Sequence, residues 1–131
     1  MNLKLVSCDK KYWEFVRRLR IDPKNQAGFL TYANITCEQQ SDFMKKNAIR
    51  YRVCLLENKP VGYVGLVGEK EVTYCVDSKY AGKGIGTYMI NTFGKEFESL
   101  EALVKPENIA SQKVFEKLGY KKLIYYKNFN L

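Results

Sequence analysis

The stretch Glu71-Val72-Thr73-Tyr74-Cys75-Val76-Asp77-Ser78-Lys79-Tyr80-Ala81-Gly82-Lys83-Gly84-Ile85-Gly86-Thr87 sets the architecture of the chain. Its first six residues alternate, with Val72, Tyr74 and Val76 on one side and Thr73 and Cys75 on the other, which is the period of a strand. A glycine-rich loop follows. Out of it Ile85, Met89, Phe93 and Phe97 recur every fourth residue, the apolar stripe of a helix. Gly82, Gly84 and Gly86 carry no Cβ, so backbone N–H groups can come close to a ligand. Those groups and the helix N-terminus form an anion site suited to a pyrophosphate. The G-x-x-x-x-G-K-[ST] loop does not fit, because Gly84 follows Lys83. The G-x-G-x-x-G fingerprint does not fit either, because the glycines run G-x-G-x-G and no second βαβ half is present. A tight corner between strand and helix, with no ligand, is the competing reading of the loop taken alone.

Upstream, Leu3 to Val6 alternates weakly and predicts a first strand. A helix follows, with Asp9 as its N-cap and Trp13, Val16 and Arg20 on one face, and it ends before Asp22-Pro23. Lys24 to Ile35 is irregular. Thr36 with Gln39 three residues on reads as a capping box for a helix over Cys37 to Lys46. Tyr51 to Leu56 and Val61 to Val67 read as strands around a turn at Glu57-Asn58-Lys59-Pro60.

Downstream, Leu100 to Val104 is a short apolar strand, expected parallel to Glu71–Val76 because a helix separates them. Asn108 opens a last helix whose buried face is Ala110, Val114, Phe115 and Leu118, with Gly119 at its left-handed C-cap. Tyr120 to Leu131 is strand-like. The chain of 131 residues is thus expected to form one α/β (α+β) domain: a mixed, mostly antiparallel twisted sheet flanked by helices.

In this setting the segment from Val76 to Gly86 resembles the signature of the GNAT superfamily of acetyl-CoA-dependent N-acetyltransferases: an Arg or Gln, then G-x-G-x-G/A, at a strand-to-helix junction. Asn108 to Tyr120 resembles the family's second motif, an Asn-headed helix ending in Gly-aromatic. The likeness is strongest between Tyr51 and Tyr120. It implies acetyl-CoA as cosubstrate. Ala81, Gly82, Lys83, Gly84, Ile85, Gly86 and Thr87 would hold its pyrophosphate. Cys75, Val76 and Asp77 would meet the pantetheine arm as an added strand, and Asn108 and Phe115 would flank it. A backbone N–H near Cys75 would stabilise the oxyanion. Asn108 is equally an ordinary N-cap.

Two positions depart from the family pattern. Ala81 stands where Arg or Gln is usual, and Phe115 where a tyrosine often protonates the leaving thiolate. Tyr74, Cys75, Tyr125, Tyr126 and ordered water are the candidates for that role. Glu71, ahead of Asp77, is the candidate base for the incoming amine, against simple surface solvation for both.

The acceptor reading rests on Leu19-Arg20-Ile21-Asp22-Pro23 and Ile35 to Phe43, which resemble a GNAT subgroup acting on nucleotide-linked amino sugars. Arg17, Arg18, Arg20 and Lys24 would meet an anionic carrier, and Tyr12, Trp13, Phe29 and Tyr32 would stack on it or pack the core. The expected acceptor is a small-molecule amine. The rivals are a protein amino group, a degenerate CoA-binding member without activity, and a nucleic-acid-binding module. The last is disfavoured by the intact glycine loop. The short C-terminal segment leaves monomer and homodimer both open.

Composition narrows the chemistry. There are 22 Lys+Arg against 14 Asp+Glu, a net charge of +8, and no histidine. That excludes Ser-His-Asp and Cys-His catalysis and imidazole metal sites. Cys8, Cys37, Cys54 and Cys75 show no metal-ligand spacing, and buried thiols in a reducing cytoplasm are expected. No apolar run reaches membrane-spanning length. Most of the basic residues read as solvated surface charge; part of the excess is assigned to a phosphate-rich cosubstrate and a nucleotide-linked acceptor, ahead of nucleic acid.

Overall fold

The protein is described by a computed structural model, which covers residues 1–29 and 33–122. Among the described residues four strands form one sheet in the order β1-β2-β3-β4: β1 (Leu3–Ser7), β2 (Tyr51–Leu56), β3 (Lys59–Val67) and β4 (Glu71–Val76). Every neighbouring pair is antiparallel. The helices are α1 (Trp13–Ile21), α2 (Cys37–Asn47), α3 (Ile85–Gly94) and α4 (Ile109–Lys117).

The sheet divides the core in two. Tyr51, Val53 and Leu55 of β2 pack with Phe15, Val16 and Leu19 of α1 and Met44 of α2. Cys54, between them in sequence, joins Ile85, Met89, Ile90 and Phe93 of α3 on the other face. This alternation is the strand pleat at work. Phe93 is 1% exposed and stacks on Phe97 at 4.9 Å between ring centroids. Phe97 thus extends the apolar stripe past the end of α3.

Thr36 and Gln39 make both bonds of the capping box that opens α2. Gln40 is 6% exposed and donates to the Trp13 carbonyl oxygen, fixing α2 against α1. The β2–β3 turn is tighter than the four residues expected. Glu57 and Asn58 both have positive φ (50° and 66°), so a two-residue turn suffices and β3 already starts at Lys59. Such a turn matches the strand twist.

Other expectations are corrected. Asp9 makes no side-chain cap; a 3-10 turn, Lys10–Tyr12, leads into α1. The predicted strand over Leu100 to Val104 is reduced to one parallel bridge, Glu71 to Glu101. Glu101 receives the Val72 N–H and donates to Lys70. The chain then turns away towards Pro106, so the rest of β4 has no neighbour on that side among the described residues. On α4 Phe115 is buried and Val114 and Leu118 pack against the second core cluster as expected, whereas Ala110 is exposed and Ser111 is buried. Gly119 has the expected left-handed φ of 85°. Tyr120 to Lys122 lie in no strand, and the remainder of the predicted last strand, with Tyr125 and Tyr126, lies outside the described residues.

Phe93→Ala removes the largest fully buried side chain. It is expected to cost about 3–5 kcal/mol, read as a lower urea midpoint with an unchanged denaturant slope.

Candidate active site

The antiparallel register decides which backbone groups β4 can offer. The Asp77 N–H donates to the Val61 carbonyl of β3, whereas the Val72 N–H points the opposite way, to Glu101. Backbone direction alternates along a strand. Cys75, opposite Tyr63, therefore turns its peptide groups to β3, and Tyr74 and Val76 turn theirs to the open edge. The backbone groups expected near Cys75 are thus those of its two neighbours.

A groove of about 1340 Å³ runs along this edge. All six residues of β4 line it, together with Tyr80, Ala81, Gly82, Gly84, Ile85, Gly86 and Thr87. Asp77 and Lys83, both expected to touch a cofactor, are not in this wall. The Asp77 carboxylate instead accepts the Lys79 N–H and caps the turn Ser78–Tyr80. Gly82 and Gly84 have φ of 76° and 78°, a conformation that side chains resist. Gly84 is the N-cap residue of α3 and offers no side-chain cap. The first-turn N–H groups and the helix dipole are therefore free to serve an anion. Gly86 plays a packing role: a Cβ there would lie 3.0 Å from Cε2 of Tyr74.

Asn108 caps α4 by accepting the Ser111 N–H at 3.1 Å. Its amide nitrogen also reaches the chain after α1, since a Cβ on Gly28 would stand 3.5 Å from Nδ2. The expected cap is thus in place, and Asn108 also lines the groove. Phe115 is buried, edge-on to Tyr74 at 6.0 Å and to Tyr120 at 4.9 Å. The Tyr74 hydroxyl is 2.7 Å from Ser111 Oγ. Burial raises its pKa, and the bond to Ser111 opposes that rise. Ser111 was not singled out in the sequence; its place four residues before Phe115 on one helix face is the signal that could have found it.

Glu71, Thr73 and Cys75 share the face of β4 towards α1 and α2. Burial pushes the Cys75 thiol up to about 12, against the lowering effect of Arg20. It is protonated at neutral pH and cannot act as a thiolate. Arg20, Lys24, Asn25, Phe29 and Phe43 line the groove on this side. The Arg20 guanidinium lies 3.9 Å from the centroid of the Phe29 ring. Gln26, 8% exposed, donates to the Arg20 carbonyl oxygen and accepts the Ala33 N–H, which ties this wall together. Arg17 is engaged by Glu14 and the Ile35 carbonyl. Arg18 is exposed and absent from the wall. Trp13 and Tyr12 pack on the first core cluster, and Tyr32 lies outside the described residues.

The sequence matches the Acetyltransferase (GNAT) domain over residues 3–121. The chain belongs to the GNAT acetyltransferase family. No curated protein matches it. Among solved structures it resembles a GNAT-family acetyltransferase from Bacillus anthracis at 26% identity and TM-score 0.70, over 91% of this chain and 80% of that one. It also resembles yncA from Salmonella typhimurium, solved with its cofactor acetyl-CoA, at 14% identity and TM-score 0.77, over 91% and 79% of the two chains. A third is AAC(6')-Iy in complex with the bisubstrate analog CoA-S-monomethyl-acetylneamine, at 14% identity and TM-score 0.64, over 98% and 99%. GNAT acetyltransferases use acetyl-CoA, and the groove suits it. The left-handed glycines leave a cradle for phosphate at α3, and the open edge of β4 offers backbone partners to an amide-bearing arm. Among the described residues no helix is long and apolar enough to cross a membrane.

Gly84→Val places a branched side chain at φ 78° beside the phosphate cradle. The variant is expected to fold, with a strain of about 1–3 kcal/mol, and to lose CoA binding by calorimetry. The thiols give a second expectation. Burial raises Cys8 and Cys54 to about 11 and Cys75 to about 12, whereas Cys37 is exposed. At pH 8 a thiol of pKa 11 is thiolate in about one molecule per thousand. A thiol reagent should modify one cysteine quickly and the other three only on unfolding. These raised pKa values also favour the fold below the unfolded thiol pKa and lose that contribution as pH climbs towards 11. Stability against urea should therefore fall above about pH 9.

Proposed function

We propose that the protein is an N-acetyltransferase that moves the acetyl group of acetyl-CoA directly to the primary amine of a small molecule, both substrates being bound together. One observation carries this reading: a single groove joins the glycine loop, the open edge of β4 and the wall formed by Arg20, Lys24 and Phe29. Its volume exceeds the range of about 300–1,000 Å³ usual for one small ligand, as expected for two substrates meeting end to end.

Bound acetyl-CoA supplies an acyl group already activated as a thioester. The chain's own part is position and polarity. The α3 N-terminus binds the pyrophosphate. The backbone groups of Tyr74 and Val76 align the arm, and one of these N–H groups polarises the acyl carbonyl. Glu71, on the face of β4 that looks towards α1 and α2, takes the proton of the amine through water. Glu71 and Tyr74 are three residues apart on an extended strand, roughly 10 Å, so an amine beside Tyr74 is reached through a short chain of ordered waters and not by direct contact. Arg20 and Lys24 favour an acceptor carrying negative charge. A nucleotide-linked amino sugar is one acceptor of that kind. AAC(6')-Iy, bound to an acetylneamine analog in its own structure, supports the wider class of amino sugars.

Saturating acetyl-CoA should raise the melting temperature. At a hundred times Kd the stabilisation is about 2.7 kcal/mol. A panel of amino sugars, nucleotide-linked amino sugars, amino acids and peptides, followed by thiol release, tests the acceptor. Turnover of small amines with no turnover of peptides is expected. Activity on peptides alone would overturn the small-molecule reading, and an unchanged melting temperature would overturn acetyl-CoA binding.

A further inference from the structure

Tyr74 and Ser111 form a hydroxyl pair in the wall of the groove. Their oxygens are 2.7 Å apart, and both residues line the groove. The Tyr74 ring lies on the first turn of α3, where the missing Cβ of Gly86 leaves it room. Phe115 closes against it edge-on. Ser111 is 9% exposed, in the first turn of α4, and its N–H is held by Asn108. Tyr74 is thus fixed by two helices and one strand. Its own backbone belongs to the open edge where the acyl-bearing arm is read to lie.

Each hydroxyl is one donor and up to two acceptors. One bond between them uses one proton and leaves the other. With Ser111 donating to Tyr74, the remaining donor is the phenol O–H at the groove wall. A hydroxyl that accepts one bond donates the next more strongly.

We propose that Tyr74, oriented by Ser111, donates a hydrogen bond to the sulfur as it leaves the acyl carbon. This rests on the function proposed above. In the transfer the amine nitrogen bonds to the acyl carbon, and the carbon–sulfur bond breaks with its electron pair going to sulfur. The amine loses one proton and the sulfur finally gains one, so protons balance. Tyr74 begins and ends protonated. Burial, which raises its pKa, keeps it a donor throughout. Ser111 is a positioning residue.

The test needs no acceptor. CoA labelled with carbon-13 next to its sulfur is bound to the protein, and the thiol is titrated by the shift of that carbon. In the wild type the bound thiol is expected to ionise at lower pH than free CoA. Tyr74→Phe should remove about tenfold in thiolate-to-thiol ratio at fixed pH. CoA affinity below pH 6, where the thiol is neutral, should change less than twofold. Ser111→Ala should lose a smaller part, about threefold, and it decides the matter if Tyr74→Phe does not fold. Identical titration curves for wild type and the folded variants overturn the proposal. Failure of wild-type protein to bind CoA at all overturns instead the groove assignment beneath it.

Discussion

The organising constraint is the hydrogen-bond asymmetry of β4. One edge is fully paired with β3. Among the described residues the other is pinned at a single point, the Glu71–Glu101 bridge, and has no further strand neighbour. Unpaired strand groups need partners. Here they lie in a groove whose walls are helices and loops, rather than on a bare surface. This edge can therefore offer hydrogen bonds to a polar, extended ligand, and the groove walls shield it as blunting devices shield an exposed edge strand.

The groove is built because three elements converge on that edge. The left-handed glycines bring the chain from β4 into α3 with its N-terminus uncapped by any side chain. Asn108 heads α4 and reaches towards Gly28 on the far wall. Gln26 and Gln40, both buried and hydrogen-bonded, hold α1, α2 and the chain between them in place. Each is a local polar bond satisfied inside the protein.

Catalysis without histidine is consistent with this frame. In the proposed reaction the thioester would supply the driving force, so backbone donors and a few oxygen groups would suffice. Desolvation raises the pKa of the buried Cys75 thiol, which counts against a thiolate at this point of the groove.

Much of this was legible in the residues. Strand alternation from Glu71 to Val76, the four-residue stripe of α3, the Thr36–Gln39 capping box and the Asn108 cap are all local patterns, and local patterns follow from local sterics and hydrogen bonds. The glycine loop was legible for the same reason, since only residues without Cβ hold φ near 77° easily. Three things belonged to tertiary structure. The strand expected at Leu100 to Val104 shrinks to one bridge, because pairing depends on where Pro106 and α4 carry the chain. Ser111 is buried and Ala110 is exposed, because the Tyr74 hydroxyl of β4 meets Ser111 and no apolar pattern records a polar contact. The turn of Tyr74 and Val76, not Cys75, to the open edge follows from register with β3. Sequence determines which groups can make a bond; only the assembled sheet determines in which direction they point.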